Sequence, residues 1–311
     1  MSRWLVTGGA GFIGSNIAEE LIRQKHTVRI LDNFSTGKKE HIRGFIHKIQ
    51  VLQGDIRNPS LLRRAMKGMD YVSHQAALRS VPKSVDNPKD TNDINITGTL
   101  NVLMAAKQAK IKRLVYASSS SVYGDALTFP QKETQRPSPV SPYAASKLAG
   151  EHYCVLFTKT FGLETVSLRY FNVFGPRQDP ESLYSAVIPK FMEQAKKGRP
   201  LEVHWDGRQT RDFTYVANVV RSNLLAAKVP KAAGMVFNIA NGRSHSLLEL
   251  IGILEKIAGR KLKRRHTPKR AGDVRKTWAD ISLAKRILGY RPEHTFSQGI
   301  EKTWDYFQCA F

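Results

Sequence analysis

The segment Thr7-Gly8-Gly9-Ala10-Gly11-Phe12-Ile13-Gly14 joins a short apolar run, residues 3–7, to the periodic pattern FIGSNIAEELIRQ. The order reads strand, tight turn, helix. Glycines at 8, 11 and 14 let a chain turn sharply, bring its backbone close to a pyrophosphate and pack the helix tightly on the strand. Phe12 and Ile13 lead into that helix, whose first amides and positive dipole end suit phosphate. A second apolar run, residues 27–31, ends at Asp32-Asn33. A carboxylate there can accept hydrogen bonds from both hydroxyls of an adenosine ribose and repels a 2′-phosphate. The expectation is a dinucleotide site for NAD rather than NADP.

The alternation continues, with apolar strands near 49–53, 70–74, 112–118 and 164–170 and helical patterns near 59–67, 92–109 and 142–161. Strands alternating with helices of this length predict parallel crossovers and an α/β, doubly wound parallel sheet of the Rossmann kind. Beyond about residue 170 the elements shorten and Gly175-Pro176, Gly198-Arg199-Pro200 and Asp206-Gly207 punctuate them. Helices near 185–197, 216–228, 246–258, 282–288 and 297–307 and a strand near 235–240 fill this part. The expected organisation is a cofactor-binding domain over 1–170, with later returns near 213–245, and a smaller C-terminal α/β region over 171–311, mainly for substrate.

With 41% apolar and 24% charged residues in 311, the chain has ordinary globular composition. No run approaches the roughly 20 apolar residues of a membrane span, and no basic leader precedes the first strand. Cys154 and Cys309 lie in separate elements and offer neither a disulfide framework nor the spacing of a metal site. These features point to a cytoplasmic protein without membrane or metal. The unusual quantity is charge, with 49 Lys+Arg against 26 Asp+Glu and a net +23. Nucleic acid, an acidic membrane surface and a phosphorylated small molecule all respond to such a field. No nucleic-acid motif accompanies it, so a solvated basic surface without a specific nucleic-acid partner is the favoured reading.

Further candidates follow the strand ends, where ligands of doubly wound sheets gather. Asp55-Ile56 closes the third strand, where the acid either meets an adenine edge or is an ordinary strand-end carboxylate. Ala76-Ala77 is a small-residue step where a cofactor can pass close to backbone. Asn95 is a polar side chain on a core-facing helix, either a cofactor contact or a buried structural amide. Ser118 to Ser121 follow the fifth strand, and one of these hydroxyls can face a ligand. Tyr143-Ala-Ala-Ser-Lys147 follows Ser141-Pro142, a cap and first-turn proline, so tyrosine and lysine share one helix face. A phenol with its usual pKa of about 10 is a poor base at neutral pH, and an adjacent ammonium draws it toward the working range.

Taken together, TGGAGFIG, Asp32, SSSSVYGD, YAASK, LRYFNVFGPRQDP, TRDFTYV and RAGDV…WAD resemble the extended short-chain dehydrogenase/reductases, and among them the NAD-dependent nucleotide-sugar 4-epimerases. The resemblance runs through essentially the whole chain. It implies a catalytic serine at Ser119, a base at Tyr143 and its lysine at Lys147. It implies Asn172, Arg211 and Arg270 on the diphosphate of a UDP-sugar, Asp273 beside them, and Thr277 as the residue limiting room around the sugar's 2-substituent. Thr277 is small enough for plain and N-acetylated hexoses, so UDP-glucose/UDP-galactose and their N-acetyl counterparts are the expected substrates. Dehydratases of the family carry Asp-Glu before Val-Tyr-Gly, where this chain has Ser120-Ser121, which argues against dehydration. Trp205 and Arg79 depart from the family, which usually has glycine and a small residue there. A homodimer through the helices at 92–109 and 142–161 is implied too. The competing readings are a UDP-glucuronate 4-epimerase or decarboxylase, which needs a cationic pocket, and an NAD-sensing or nucleic-acid-binding protein, which needs no Ser-Tyr-Lys set.

Overall fold

A computed structural model of the chain describes residues 1–180, 187–269 and 274–310. Arg270 and Asp273, expected on the substrate, lie outside the described residues. The strands are β1 (Arg3–Thr7), β2 (Thr27–Asp32), β3 (Ile49–Gln53), β4 (Tyr71–His74), β5 (Arg113–Ser119), β6 (Thr165–Tyr170), β7 (Val173–Phe174), β8 (Leu201–His204), β9 (Thr210–Arg211), β10 (Thr214–Tyr215), β11 (Met235–Ile239), β12 (His245–Ser246) and β13 (Arg264–Thr267). The α-helices are α1 (Phe12–Arg23), α2 (Pro59–Met66), α3 (Val81–Asp86), α4 (Pro88–Asn92), α5 (Gly98–Gln108), α6 (Pro142–Phe161), α7 (Val187–Lys196), α8 (Val216–Lys228), α9 (Leu247–Ala258), α10 (Ser282–Leu288) and α11 (Phe296–Ala310).

Seven strands form one parallel sheet in the order β11-β6-β5-β4-β1-β2-β3, the doubly wound architecture expected. The central strands β1, β4, β5 and β6 are buried on both faces, and alternate residues serve different cores. Trp4 and Val6 join Ile17, Val28, Ile30, Val219 and Phe237 on one side; Leu5 joins Leu62, Val102, Leu103, Leu114 and Phe157 on the other. The chain leaves β1 toward β2 and β3, then returns to place β4 on β1's opposite edge. That reversal opens a crevice at the carboxyl ends of β1 and β4. A third core, built from residues such as Phe174, Phe191, Leu201, Phe213, Leu250 and Phe296, packs the later elements. Among the described residues, no helix is long and apolar enough to cross a membrane.

Two local differences from the sequence expectation bear on the site. The single helix predicted over 92–109 is interrupted by a π-helical turn at Asp93–Thr97, and Asn95 within that turn directs its side-chain amide to tertiary partners. The stretch before it holds α3 and α4, which the periodicity does not show. Their local signals are capping ones: Ser80 before Val81-Pro82 accepts from the Lys83 amide, and Asn87 before Pro88 accepts from the Asp90 amide.

Candidate active site

The crevice is a cleft enclosing about 1160 Å³, mouth included, and its walls hold Gly8, Gly11 to Gly14, Asp32, Asn33, Asp55, Ile56, Ala76, Ala77, Tyr143 and Lys147. It is large enough for an extended ligand, since pockets typically span ~300–1,000 Å³. The fold thus brings most of the expected cofactor residues to one surface from four strand ends and one helix.

The cradle is closed by backbone. Gly8 adopts φ +66°, which glycine takes without strain, and its amide donates to the Leu31 carbonyl at 2.8 Å. A Cβ on Gly8 would lie 2.8 Å from the Ala76 nitrogen, so the turn abuts the small-residue step after β4. A Cβ on Gly14 would overlap the Gly8 carbonyl oxygen. Helix α1 starts at this turn with no side-chain cap and no acidic residue in its first turn, leaving its amides to an anion. Asp32 is buried; its carboxylate accepts from the Ala10 amide at 2.9 Å and the Phe34 amide at 2.8 Å, which fixes it on the cleft wall. These features fit a dinucleotide: no side chain occupies the phosphate turn, and an acid stands where a ribose belongs.

Two expected contacts look different. Asp55 accepts from Arg57, through its amide, Nε and Nη2, and from Asn33 Nδ2; hydrogen bonding to Arg57 holds it below its usual pKa. It is a rim carboxylate with partners of its own. Asn95 is a buried amide: Oδ1 accepts from the Leu78 amide at 2.8 Å, and Nδ2 donates to the Leu78 carbonyl at 2.9 Å and to Ser146 Oγ at 3.0 Å. It holds the loop after β4 and is absent from the cleft lining, where Ile94 stands instead.

At the other end of the cleft, Ser141 caps α6 by accepting from the Ala144 amide at 3.2 Å, with Pro142 beginning the helix. This sets Tyr143 in the first turn and Lys147 one turn on, both against the cleft. Burial pushes the Tyr143 phenol up, opposed by hydrogen bonding to Ser119 and by the positive charge of Arg79. Ser119 Oγ accepts from the Ser121 amide at 3.2 Å and the Ser121 hydroxyl at 2.9 Å. Lys147 is buried, which pulls its ammonium down to about 8, while the Glu151 carboxylate one turn on supports it. Its Nζ donates to the Ala117 carbonyl at 2.8 Å. The ammonium takes a strand carbonyl as its acceptor, since a buried charge needs a hydrogen-bond partner.

Glu151 is itself paired with Arg169 of β6, through Nε at 2.9 Å and Nη2 at 2.8 Å, and accepts from the Ser118 hydroxyl. This buried pair ties α6 to β5 and β6 directly behind Lys147.

The expected substrate residues meet beyond the end of β6. Asn172, at φ +36°, donates from Nδ2 to Thr277 Oγ1 at 2.8 Å and to the Asp212 carbonyl at 3.2 Å. Arg211 is half-buried in the same cluster and donates to the Thr210 carbonyl. Beside it, Asp212 is fully buried and accepts from the amides of Asn241, Gly242 and Ala279. Its burial raises it to about 7 against those bonds; it is the hub that anchors this cluster, a part the sequence did not suggest for it. Gln75, His41 and Arg177 also line the cleft and were not singled out. Gln75 had a readable signal, as the residue between the end of β4 and Ala76; Arg177 is oriented by Glu19, at 2.6 Å, from α1, a long-range partner with no sequence signature. Among the described residues no group of three or more metal-capable side chains occurs.

A doubly wound sheet whose switch-point cleft carries a glycine cradle, a ribose acid and a tyrosine–lysine helix defines a nicotinamide-dependent enzyme of the short-chain dehydrogenase type. Comparison with known proteins specifies it: residues 4–240 match the NAD dependent epimerase/dehydratase family, and the chain belongs to that family, with NAD as its cofactor. It is 38% identical over 300 residues to a putative UDP-glucose 4-epimerase of Methanocaldococcus jannaschii, covering 96% of each chain. It superposes with a TM-score of 0.95 and 38% identity on a UDP-N-acetylglucosamine 4-epimerase from Methanobrevibacter ruminantium M1 in complex with UDP-N-acetylmuramic acid, covering 100% of this chain and 99% of that one. A UDP-glucuronic acid 4-epimerase from Bacillus cereus, in complex with UDP-glucuronic acid and NAD, gives a TM-score of 0.91 at 34% identity, covering 99% and 100%.

Proposed function

We propose that this chain is a UDP-hexose 4-epimerase, acting on UDP-glucose and UDP-galactose and on their N-acetylated counterparts. The observation that carries the reading is Tyr143, set beside Ser119 and above buried Lys147 on the wall of the cofactor cleft, in a chain similar over its whole length to 4-epimerases. Bound NAD supplies a reversible hydride acceptor, so that a sugar carbon can be oxidised and reduced again with no net use of cofactor.

The protein's part is proton handling and tethering. Ionised Tyr143 accepts the proton of the sugar's 4-hydroxyl, directly or through Ser119, and later returns it. Lys147 supplies positive charge behind the phenol. Asn172, Arg211 and Arg270 hold the diphosphate, since arginine forks match phosphate oxygens, and leave the sugar free to present either face. Thr277, held through its hydroxyl by Asn172, leaves room for a 2-acetamido group. Serines at 120 and 121 provide no acid to expel a hydroxyl. In this reading residues 1–170, with returns near 213–245, serve the cofactor and 171–311 mainly the sugar nucleotide. The homodimer we propose uses the half-exposed Met104, Leu156 and Phe161 of α5 and α6; sedimentation at micromolar concentration checks it.

Purified protein, without added NAD, should interconvert UDP-glucose with UDP-galactose and the N-acetyl pair, with products separated by chromatography. Tyr143→Phe should lower turnover by about 10²–10⁴ while UDP binding stays within about threefold. A fully active variant removes the base assignment. UDP-glucuronate belongs in the same assay, because the similarity to the glucuronic acid epimerase also spans the chain; its sole conversion would shift the reading to a uronate epimerase.

A further inference from the structure

The segment Gly175 to Asp179 ties the later region of the chain to the glycine turn along the cofactor cleft. It leaves β7, which pairs with β10 and is rooted in the third core through Phe174. β7 follows β6, and β6 stands four places from β2 in the sheet, with β5, β4 and β1 between. At the usual strand spacing that is about 19 Å of carboxyl edge. The segment nevertheless meets the loop after β2: the Lys38 ammonium pairs with the Asp179 carboxylate at 3.0 Å, and the Arg177 guanidinium lies over the Phe45 ring at 5.6 Å. Two further ties reach α1. Asn16 Nδ2 donates to the Pro176 carbonyl at 3.2 Å, and Arg177 Nη2 donates to the Glu19 carboxylate at 2.6 Å. The loop after β2 is itself fastened to the glycine turn, because the Ala10 carbonyl accepts from the Lys38 amide at 3.0 Å and from His41 Nδ1 at 2.9 Å. Arg177 and Asp179 line the same cleft as that turn.

We propose that residues 175–179 form a clasp on the cofactor cleft, and that Arg177 and Asp179 are positioning residues that hold it shut against α1 and the loop after β2, so that NAD enters and leaves when these ties open. The inference rests on NAD as the cofactor and on no choice of sugar. Three features separate a clasp from a chance surface ion pair. Ties of three kinds, to a carbonyl, between charges and to a ring, converge on four consecutive residues. Arg177 stands at φ +70°, a conformation that glycine takes freely and other residues seldom adopt; its side chain, 13% exposed, is what the site gains by having arginine there. Each joined piece is anchored independently, one on the glycine turn and the other in the third core, so parting them needs no unfolding of either. The links are individually weak. Lys38 and Glu19 are about half exposed, and pairs of that kind contribute little each, which lets the clasp open often enough to load its cofactor.

The test is exchange of radiolabelled NAD. Loaded protein chased with unlabelled NAD reads the dissociation rate, and uptake of label by stripped protein reads the association rate. Glu19→Gln breaks one tie at a residue outside the cleft lining, so its effect on NAD cannot come from a lost ligand contact; Asp179→Asn breaks the other. Each should raise both rates about two- to fivefold, the range of a partly exposed ion pair, and the double variant should raise both about tenfold, since the two ties have separate partners. Kd, the ratio of the two rates, should stay within about twofold, because opening admits and releases NAD alike. Arg177→Gln should behave as Glu19→Gln does, and Arg177→Lys, which keeps a charge for Glu19, should recover most of the wild-type rates. Thermal unfolding of the stripped variants checks that these rim substitutions leave the fold intact. Wild-type rates in the double variant overturn the clasp. Faster release with unchanged association overturns it as well, since these residues would then be ordinary ligand contacts. No sugar enters the assay, so its outcome is independent of whether any UDP-hexose is converted.

Discussion

Replacing Gly14 by alanine tests whether the turn after β1 is a cradle set by backbone contact. The added carbon would overlap the Gly8 carbonyl oxygen and lie 2.9 Å from the Gly8 carbonyl carbon and 3.0 Å from the Gly9 α-carbon, where carbon atoms ordinarily keep about 3.5–4.0 Å. Every obstacle is backbone, and the turn is pinned by the Gly8 amide on Leu31 and by Ala76 against Gly8. Helix and turn must therefore part by roughly 0.5–1 Å. Misplacement of about 1 Å at a site that orients a ligand costs on the order of 100-fold, or about 2.8 kcal/mol of NAD affinity. Stability without NAD should fall less than that, because alanine favours helix α1 over glycine by about 1 kcal/mol and offsets part of the overlap. Gly11→Ala is the control: its added carbon meets a single atom, the Gly8 carbonyl oxygen, at 3.1 Å, and affinity should stay within about tenfold. Calorimetric titration of NAD into stripped protein, with thermal unfolding in parallel, reads both quantities. Wild-type affinity in Gly14→Ala, or equal losses at 11 and 14, would refute the contact argument.

Two further predictions concern the charges behind the phenol. Glu151→Gln leaves Arg169 as an uncompensated charge with its side chain only 5% exposed, and should lower stability by about 3–5 kcal/mol in denaturant unfolding; a loss under 1 kcal/mol would show that water reaches the pair. Lys147, at about 8 against an ordinary 10.5, is a base depressed by folding. Between those values the unfolded chain keeps a proton that the folded chain has released, so folding stability rises with pH. Unfolding of stripped wild type should gain on Lys147→Met across that range, and a difference independent of pH would mean that burial does not set the lysine's charge.

Much of the site was legible because its parts are local. The glycine spacing, the acid at the end of β2, the cap-and-proline start of α6 and the four-residue step from Tyr143 to Lys147 each depend on neighbours in the chain, and the fold places them all on one cleft. Even Asn95 was legible as a choice between two readings. What decided it was Leu78, a partner seventeen residues away, whose loop is shaped by contact with α6.

The sequence by itself determined the parallel sheet, its glycine turn and the residues available for chemistry, because strand and helix periods and turn requirements act over a few residues. Only the tertiary structure decided which acceptor the Lys147 ammonium takes, which acid anchors the region around Asn172, and which partners the Asn95 amide finds. Those outcomes turn on burial and on competition among partners far apart in the chain: Lys147 goes to Ala117, Asp212 to the amides of residues 241, 242 and 279, and Asn95 to Leu78 and Ser146.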